Sequence, residues 1–217
     1  MTIAAGARPC LEMGSRRTNE QGAVAATRGA WVAGFADTSN REAGMKYQIP
    51  TVGTAAHSFT LLHDSEREAF EAQVAALGVG TTLLVDTYDT ETGVGTAIEV
   101  TGPGLGAVRL DSGDLGEVVK ATRAQLDAAG NTDTKITVTS DLDEYAIASL
   151  AIAPVDSYGV GTSLVTGSGV PTAGMKDAFA RDFGSYDRWR DEFLAMGYAL
   201  GGGSGWVLLT YVPRDGR

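Results

Sequence analysis

Short apolar runs rich in β-branched residues alternate with helix-like segments along most of this chain, and that alternation constrains its fold. The runs recur at roughly 25-residue intervals, which predicts βα units on a parallel sheet. About six or seven such units favour an α/β barrel over an open sheet. The predicted strands are CLEM (10–13), TVGT (51–54), TTLLVDT (81–87), GAVRL (106–110), KITVTS (135–140) and DSYGVGT (156–162).

Three of the intervening segments carry recognisable helix boundaries. Residues 65–78 begin with a serine cap followed three residues later by Glu68, a capping box, and they end at Gly78. Residues 114–130 end at Gly130, and residues 141–154 begin with acids and stop at a proline. The helix predicted over 114–130 has one stripe formed by Leu115, Val118, Val119, Thr122 and Leu126.

Composition excludes several classes of function. A formal net charge of −10 argues against sequence-independent nucleic-acid binding, because no basic excess is available to displace counterions. No segment approaches the roughly 18 apolar residues of a membrane span, and the N-terminus lacks a secretory signal. With a single cysteine, Cys10, the chain has no disulfide framework and no thiolate-rich metal site. We therefore expect a cytoplasmic protein with neither nucleic-acid nor membrane partners.

The acidic stretch RLDSGD (109–114) directly follows a predicted strand. One interpretation is that Ser112 or Asp114 caps the next helix. The other is that Asp111 accepts hydrogen bonds from sugar hydroxyls while Arg109 reaches an anionic or planar group. Capping by Ser112 and binding by Asp111 are compatible.

Two further stretches are suited to anions. In YGVGTSLVTGSG (158–169), glycines 159 and 161 precede Thr162 and would allow backbone N–H groups to approach an anion, although an ordinary glycine-rich loop also explains them. Arg16 and Arg17 precede a predicted helix start at residues 18–21, a position suited to anion binding, whereas paired arginines are more often solvated.

His57, Asp86 and Asp89 also follow apolar runs. A neutral imidazole at a strand end could act as a nucleophile toward phosphate, while the ordinary alternative is a structural histidine. His63 lies in a connecting segment and is the weaker candidate. Asp86 and Asp89 could bind Mg²⁺ or a cationic group, or they could be simple turn acids.

The order of the motifs resembles that in the nicotinate phosphoribosyltransferases, over residues 5–175. The motifs are EMGSRRTNEQGA, DTSN, PTVGTAAHSFTLLH, LLVDTYDT, RLDSGDL, VTSDLDEY and YGVGTSLVTGSGVPTAGM. The resemblance implies an irregular α/β barrel of the phosphoribosyltransferase type. It also implies a reaction in which nicotinate and phosphoribosyl pyrophosphate give nicotinate mononucleotide and pyrophosphate, with ATP hydrolysis and Mg²⁺, in NAD salvage.

The same resemblance assigns roles to individual residues. His57 would be the phosphorylated histidine that couples ATP cleavage to synthesis, and Asp86 would lie near the pyrophosphate and Mg²⁺. Arg109 and Asp111 would hold the base and the ribose hydroxyls, with Ser112 beside them. Arg16 would face the nicotinate or the phosphates, and a pyridine pocket would be formed by Asp37, Thr38 and Ser39. The 5′-phosphate pocket would be lined by Ser140, Asp141, Gly161 and Thr162.

The chain also departs from that family. Family members are longer, with an N-terminal domain and further barrel, and they form homodimers in which one subunit supplies an aromatic residue to its neighbour's site. Residues 176–217 instead resemble the start of the C-terminal domain of iron/manganese superoxide dismutases, without that family's metal ligands. The sequence thus predicts a truncated barrel core over 1–175 joined to a short α+β tail over 176–217, as in a fusion or a shifted reading frame. Its aromatics, Phe183, Tyr186, Trp189, Phe193 and Trp206, would pack locally or on the barrel. The alternatives to an active transferase are a fragment that binds a phosphorylated ligand without turnover and, less favoured, a dismutase.

Overall fold

The computed structural model describes residues 1–166 and 173–199, and the side chains at 173–175 and 196–199 are not described. The chain divides into two compact units, residues 1–167 and residues 168–217. The first unit contains a six-stranded sheet in the order β2-β1-β6-β5-β4-β3, in which every pairing is parallel. The strands are β1 Cys10–Glu12, β2 Asp37–Thr38, β3 Thr82–Leu84, β4 Ala107–Leu110, β5 Lys135–Val138 and β6 Ser157–Val160.

This curled sheet is half of a barrel, and helices connect its strands. The predicted α/β class with a partial barrel is confirmed by this parallel sheet and its connecting helices. In the first unit the helices are α1 Thr2–Ala5, α2 Glu20–Val32, α3 Arg41–Tyr47, α4 His57–Leu61, α5 Glu66–Leu77, α6 Thr90–Thr101, α7 Leu115–Ala128, α8 Glu144–Ser149 and α9 Thr162–Thr166. Because all strands are parallel, their carboxyl ends share one rim of the sheet.

The core lies on both faces of the sheet. All four residues of β4 are buried, as are Leu83, Ile136, Val138 and Tyr158 on neighbouring strands. Burial on two faces explains why these strands appear in the sequence as continuous apolar runs. Each fully buried aliphatic side chain contributes about 1.5–3 kcal/mol to the free energy of folding through its removal from water. From α7, the core receives Val119, Thr122 and Leu126, so the predicted stripe is confirmed.

Five of the six predicted strands are confirmed with shorter bounds, and the one at 51–54 is wrong. There, Thr51 alone forms a bridge with Thr38, and the chain then runs without regular structure to α4. The neighbouring β2 is only two residues long, so it offers little backbone for pairing. Sequence reasoning also missed β2 itself, together with the helices α1, α3, α4, α6 and α9.

The helix predicted over 141–154 is shorter, since α8 ends at Ser149. The guanidinium of Arg8 binds the backbone that follows the last residue of α8. Its Nη2 donates to the carbonyls of Ala151 (3.0 Å) and Ala153 (3.1 Å), and its Nη1 donates to that of Leu150 (3.2 Å). A helix that ended at Pro154 would leave these carbonyls without an intrahelical donor, and Arg8 supplies the donors instead.

The second unit contains two described helices, α10 Ala173–Phe183 and α11 Tyr186–Ala199. Phe179 stacks on Trp189 with ring centroids 4.1 Å apart, and Tyr186 and Phe193 contact the same indole. The expected local packing is thus confirmed for the aromatics of these helices, Phe183 included. Trp206 and the predicted strand at 201–211 lie outside the described residues. Within the described part of the chain, no helix is both long and apolar enough to cross a membrane.

Candidate active site

A cavity of about 220 Å³ opens at the carboxyl ends of β1, β4, β5 and β6, which are neighbours in the sheet. Charged and hydroxyl side chains from four separate strand ends therefore share one space. The cavity is lined by Met13, Arg16, Arg17, Arg109, Asp111, Thr139, Ser140, Asp141, Gly159, Gly161 and Thr162. Of the predicted site residues, the structure brings together Arg16, Arg109, Asp111, Ser140, Asp141, Gly161 and Thr162.

Arg109 projects from β4 with only 9% of its surface exposed. Its Nε donates to the Thr139 hydroxyl at 2.8 Å, and its Nη1 donates to the Thr54 hydroxyl at 2.7 Å and to the Ala55 carbonyl at 3.3 Å. Its Nη2 lies 3.4 Å from Oδ1 of Asp111. These contacts fix the plane of the guanidinium, which suits recognition of a planar or anionic group.

Asp111 follows β4 directly and is the most connected acid of the cavity. Its Oδ1 accepts a 2.5 Å hydrogen bond from the Thr139 hydroxyl, and its Oδ2 lies 3.4 Å from Nε2 of His57. Burial would raise the pKa of Asp111, but the Thr139 hydrogen bond, the positive charge and hydrogen bond of Arg109 and the His57 contact together hold it below its ordinary value. The site therefore keeps an ionised carboxylate where a cationic or hydroxyl-bearing ligand could meet it.

Asp86 holds the backbone of Asp111 and the side chain of Ser112 through hydrogen bonds. Its Oδ2 accepts hydrogen bonds from the Asp111 N–H (2.7 Å) and the Ser112 hydroxyl (2.6 Å). Its Oδ1 is buried and has no hydrogen-bond partner. Asp114 caps α7 by accepting from the N–H groups of Gly116 and Glu117. Of the two caps considered for this helix, Asp114 is therefore the one the structure shows, and Ser112 instead holds Asp86.

His57 is the first residue of α4 and not the end of a strand, because residues 51–54 form none. Its side chain is 40% exposed, and its Nδ1 lies 3.2 Å from the Thr87 hydroxyl. Thr87 follows β3 and Asp111 follows β4, so the imidazole lies against two adjacent strand ends. Both ring nitrogens therefore have defined neighbours.

The loops after β5 and β6 form the other side of the cavity. Ser140 has a positive φ of 99°, a strained conformation for a residue with a side chain. The Thr162 hydroxyl lies 3.5 Å from Oδ1 of Asp141. At Gly161, a Cβ would lie 3.1 Å from the Met13 carbonyl, so the glycine permits close contact between the loops after β1 and β6.

Arg16 and Arg17 lie in a 3-10 turn, Ser15–Arg17, after β1, and helix α2 begins at Glu20 with Asn19 as its cap. The turn is held by Glu12, a residue that sequence reasoning missed. Glu12 is 1% exposed; its Oε1 accepts from the Gly14 N–H at 2.5 Å, and its Oε2 accepts from the hydroxyls of Thr27 (2.8 Å) and Thr38. The sequence did contain a signal for this residue, because Glu12 is an acid within the apolar predicted strand CLEM (10–13).

The three predicted pyridine-pocket residues and the predicted acid Asp89 do not line the cavity. Thr38 is fully buried and donates to Glu12, so it does not line the cavity, and neither do Asp37 and Ser39. Burial raises the pKa of Asp37. Asp89 caps α6 through the Thr92 N–H (2.9 Å) and hydroxyl (2.6 Å), and these hydrogen bonds hold its pKa below the ordinary value. Among the residues that the structure describes, no group of three or more His, Cys, Asp or Glu is placed to hold a metal ion.

Known proteins share this arrangement of motifs. The chain is 59% identical over 183 residues to the nicotinate phosphoribosyltransferase pncB1 of Mycobacterium tuberculosis (strain H37Rv), covering 81% of this chain and 41% of that protein. It is 41% identical over 173 residues to nicotinate phosphoribosyltransferase of Bacillus subtilis (strain 168), covering 76% of this chain and 35% of that protein. The chain thus spans about two fifths of the length of these curated relatives. No protein-family model matches it.

Solved structures with names of the same kind share the fold of this chain. A nicotinate-nucleotide pyrophosphorylase from Pyrococcus furiosus is 27% identical with a TM-score of 0.71, covering 76% of this chain and 44% of that one. Human nicotinic acid phosphoribosyltransferase is 26% identical with a TM-score of 0.61, covering 74% and 45%. Over 62 residues, the chain is also 61% identical to the iron superoxide dismutase of Cupriavidus metallidurans, covering 29% of this chain and 28% of that protein. Both resemblances found in the motifs are therefore confirmed.

Proposed function

We propose that the cavity at the strand ends binds the substrates of a nicotinate phosphoribosyl transfer, nicotinate and phosphoribosyl pyrophosphate, and that the chain contributes to NAD salvage. The observation that carries this proposal is the meeting of Arg109, Asp111, Ser140, Asp141 and Thr162 around one cavity. The proposal also draws on the relatives, which bear the name of that enzyme across 76–81% of this chain.

The residues present suit the charges of such a reaction. As the bond between the ribose carbon and pyrophosphate breaks, positive charge develops on the sugar and negative charge on the leaving group. The ionised Asp111 carboxylate would lie at the sugar hydroxyls, and Arg109 would hold the nicotinate carboxylate or ring. Arg16 and the loop residues Ser140, Gly161 and Thr162 would offer hydrogen-bond donors to the phosphates.

Mg²⁺ would enter chiefly with the pyrophosphate, because this ion commonly takes most of its protein-site ligands from substrate phosphates and water. Asp86 already holds Asp111 and Ser112 with one oxygen, and its other oxygen is enclosed. Its part in this proposal is therefore to orient Asp111. Cytoplasmic location and homodimer formation remain predictions.

His57 would couple ATP to the transfer. A ring nitrogen would attack the γ-phosphorus of ATP, forming a nitrogen–phosphorus bond as ADP leaves. Asp111 at Nε2 and Thr87 at Nδ1 would orient the ring and stabilise its charge.

The test combines product formation with a matched histidine pair. Purified protein, nicotinate, phosphoribosyl pyrophosphate, Mg²⁺ and ATP should yield nicotinate mononucleotide, measured by chromatography. His57→Ala should separate ATP use from product formation. His63→Ala should not, since Nδ1 of His63 donates to the Phe59 carbonyl at 2.8 Å, whereas His57 contacts the cavity residue Asp111. Equal effects of the two variants would contradict the role of His57.

A second candidate is a binding fragment without turnover. It is favoured by the position of Asp37, Thr38 and Ser39, the predicted pyridine-pocket residues, outside the lining of the cavity. Heat stabilisation that saturates with nicotinate mononucleotide, with no product formed, would support this candidate over the enzyme. Bound iron or manganese in a metal analysis would instead revive the dismutase alternative.

A further inference from the structure

We propose that Thr139 is a positioning residue: its hydroxyl joins Arg109 to Asp111 and sets the orientation of both side chains in the cavity. Thr139 directly follows β5 and is 4% exposed. It lies in the motif VTSDLDEY, of which the sequence analysis assigned roles only to Ser140 and Asp141. The inference rests on the proposed function insofar as Arg109 and Asp111 would hold the base and the ribose.

The donors and acceptors around the Thr139 hydroxyl determine the direction of each of its hydrogen bonds. The guanidinium can only donate, so Oγ1 of Thr139 accepts from Nε of Arg109 at 2.8 Å. The single hydroxyl proton is then directed to Asp111 Oδ1 at 2.5 Å or to the Leu110 carbonyl at 3.3 Å. The shorter contact to an ionised acceptor is the stronger one. Thr139 therefore accepts from the arginine and donates to the aspartate.

The direct contact between Arg109 and Asp111 is longer than either of their hydrogen bonds to the Thr139 hydroxyl. Nη2 of Arg109 lies 3.4 Å from Oδ1 of Asp111, beyond the usual range of a good N–H···O hydrogen bond. The imidazole of His57 also lies 3.4 Å from Asp111. Among these three neighbours, the threonine hydroxyl alone approaches the carboxylate at short hydrogen-bonding distance.

Gly159 on β6 keeps the threonine in this rotamer. A Cβ at Gly159 would lie 2.6 Å from Cγ2 of Thr139 and 2.8 Å from Sδ of Met13. The space left by the missing side chain is therefore filled by the threonine methyl and the methionine sulfur. This assigns the first glycine of the GVGT motif a packing role that directs the hydroxyl toward Arg109 and Asp111.

The experiment compares Thr139→Val, which keeps the shape and removes the hydroxyl, with Thr139→Ser, which keeps the hydroxyl and removes the methyl. Carbon-detected NMR titration of the full chain, with Asp111 assigned through Asp111→Asn, reads the carboxyl group without any substrate. Thr139→Val should raise the pKa of Asp111, and Thr139→Ser should leave it near the wild-type position. Gly159→Ala, which displaces the methyl, should act in the same direction as Thr139→Val.

Binding of nicotinate mononucleotide supplies the functional readout. Thr139→Val should weaken it at least about tenfold, the scale of a lost hydrogen bond to a charged group, and Thr139→Ser should recover most of the affinity. If wild-type protein binds no mononucleotide, the proposed function fails while the titration still tests Thr139. An Asp111 pKa that is the same in wild type and Thr139→Val would overturn the inference. So would a folded Thr139→Ser variant in which the Asp111 pKa is raised as far as in Thr139→Val.

Discussion

Nε2 of His57 lies 3.4 Å from Oδ2 of Asp111, which joins the start of α4 to the end of β4. The two residues are far apart in the sequence. Because β3 and β4 are neighbours, Thr87 after β3 and Asp111 after β4 lie side by side and both contact the imidazole. Each therefore acts in the electrostatic environment of the other. The pH dependence of the contribution of Asp111 to stability is the first measurable consequence.

Replacing Asp111 with Asn should lower the free energy of unfolding at pH 7 by about 1–3 kcal/mol, the cost of losing hydrogen bonds to a partly buried charge. Because the pKa of Asp111 is lowered in the folded state, its contribution is present above the unfolded pKa of about 3.9 and is lost as pH falls through the folded value. The difference between the two proteins should therefore persist from pH 7 to 5 and shrink below pH 4 in urea titrations.

Asp133→Asn provides the control for this series, because Asp133 is exposed in the turn before β5 and its replacement also removes one negative charge. A difference between wild type and Asp111→Asn that stays constant down to pH 3 would contradict the prediction.

The sequence predicted most of the sheet because its strands are buried on two faces and appear as unbroken apolar runs, as in Ala107–Leu110. It predicted α5 and α7 because Ser65 and Asp114 lie at clear cap positions. It missed β2, since two residues, one of them an acid, carry no strand periodicity. Short elements of this kind are set by tertiary contacts, here the pairing with β1.

The cavity was predicted only in part, for a related reason. Residues at strand ends, such as Arg109 and Asp111, could be placed together from the βα pattern alone. Glu12 and Thr139 act through hydrogen bonds to other side chains, and no spacing rule links Glu12 to Thr27 and Thr38. Thr38 was expected at the ligand and instead supports Glu12, because the register of β1 and β2 places Glu12 opposite it.

Removing the Glu12 carboxylate should destabilise the protein. Glu12→Ala leaves a cavity and deprives the Gly14 N–H and the hydroxyls of Thr27 and Thr38 of their acceptor. We expect a loss of about 3 kcal/mol or more in the free energy of unfolding, measured with urea. Glu12→Gln should lose clearly less, because the amide keeps the volume and one acceptor oxygen. Equal losses in the two variants would contradict this prediction, because they would show that neither the retained volume nor the one retained acceptor oxygen contributes to stability.

Arg8 should contribute to stability through its fork of donors. It donates to three carbonyls beyond α8 and, through Nη1, to the Tyr158 hydroxyl at 2.9 Å. Arg8→Lys keeps the charge but cannot satisfy these acceptors together, so we expect a loss of about 1–3 kcal/mol in unfolding free energy. Arg8→Ala should lose at least as much. A lysine variant as stable as wild type would show that charge, and not the fork, is what α8 requires.

Glu66 offers a test in the opposite direction, because its replacement should stabilise the protein. Burial, followed by repulsion from Asp86 and Asp89, raises the pKa of this glutamate, and its Oε1 is buried without a hydrogen-bond partner. A raised folded-state pKa means that stabilisation is full below the unfolded pKa of about 4.3 and is lost as pH rises through the folded value. At pH 7 the wild-type chain therefore carries an unfavourable charge.

Glu66→Gln should raise the free energy of unfolding at pH 7 on the order of 1 kcal/mol, the scale of a like-charge contact in partly solvated surroundings. The gain should shrink as pH falls toward 4 and vanish near pH 3, where Glu66 is protonated before and after unfolding. Glu68→Gln is the matched control, since both residues lie in the first turn of α5 and both favour the helix N-terminus by their charge. If Glu68→Gln stabilises the protein as much, the gain comes from overall negative charge and not from the enclosed carboxyl beside Asp86.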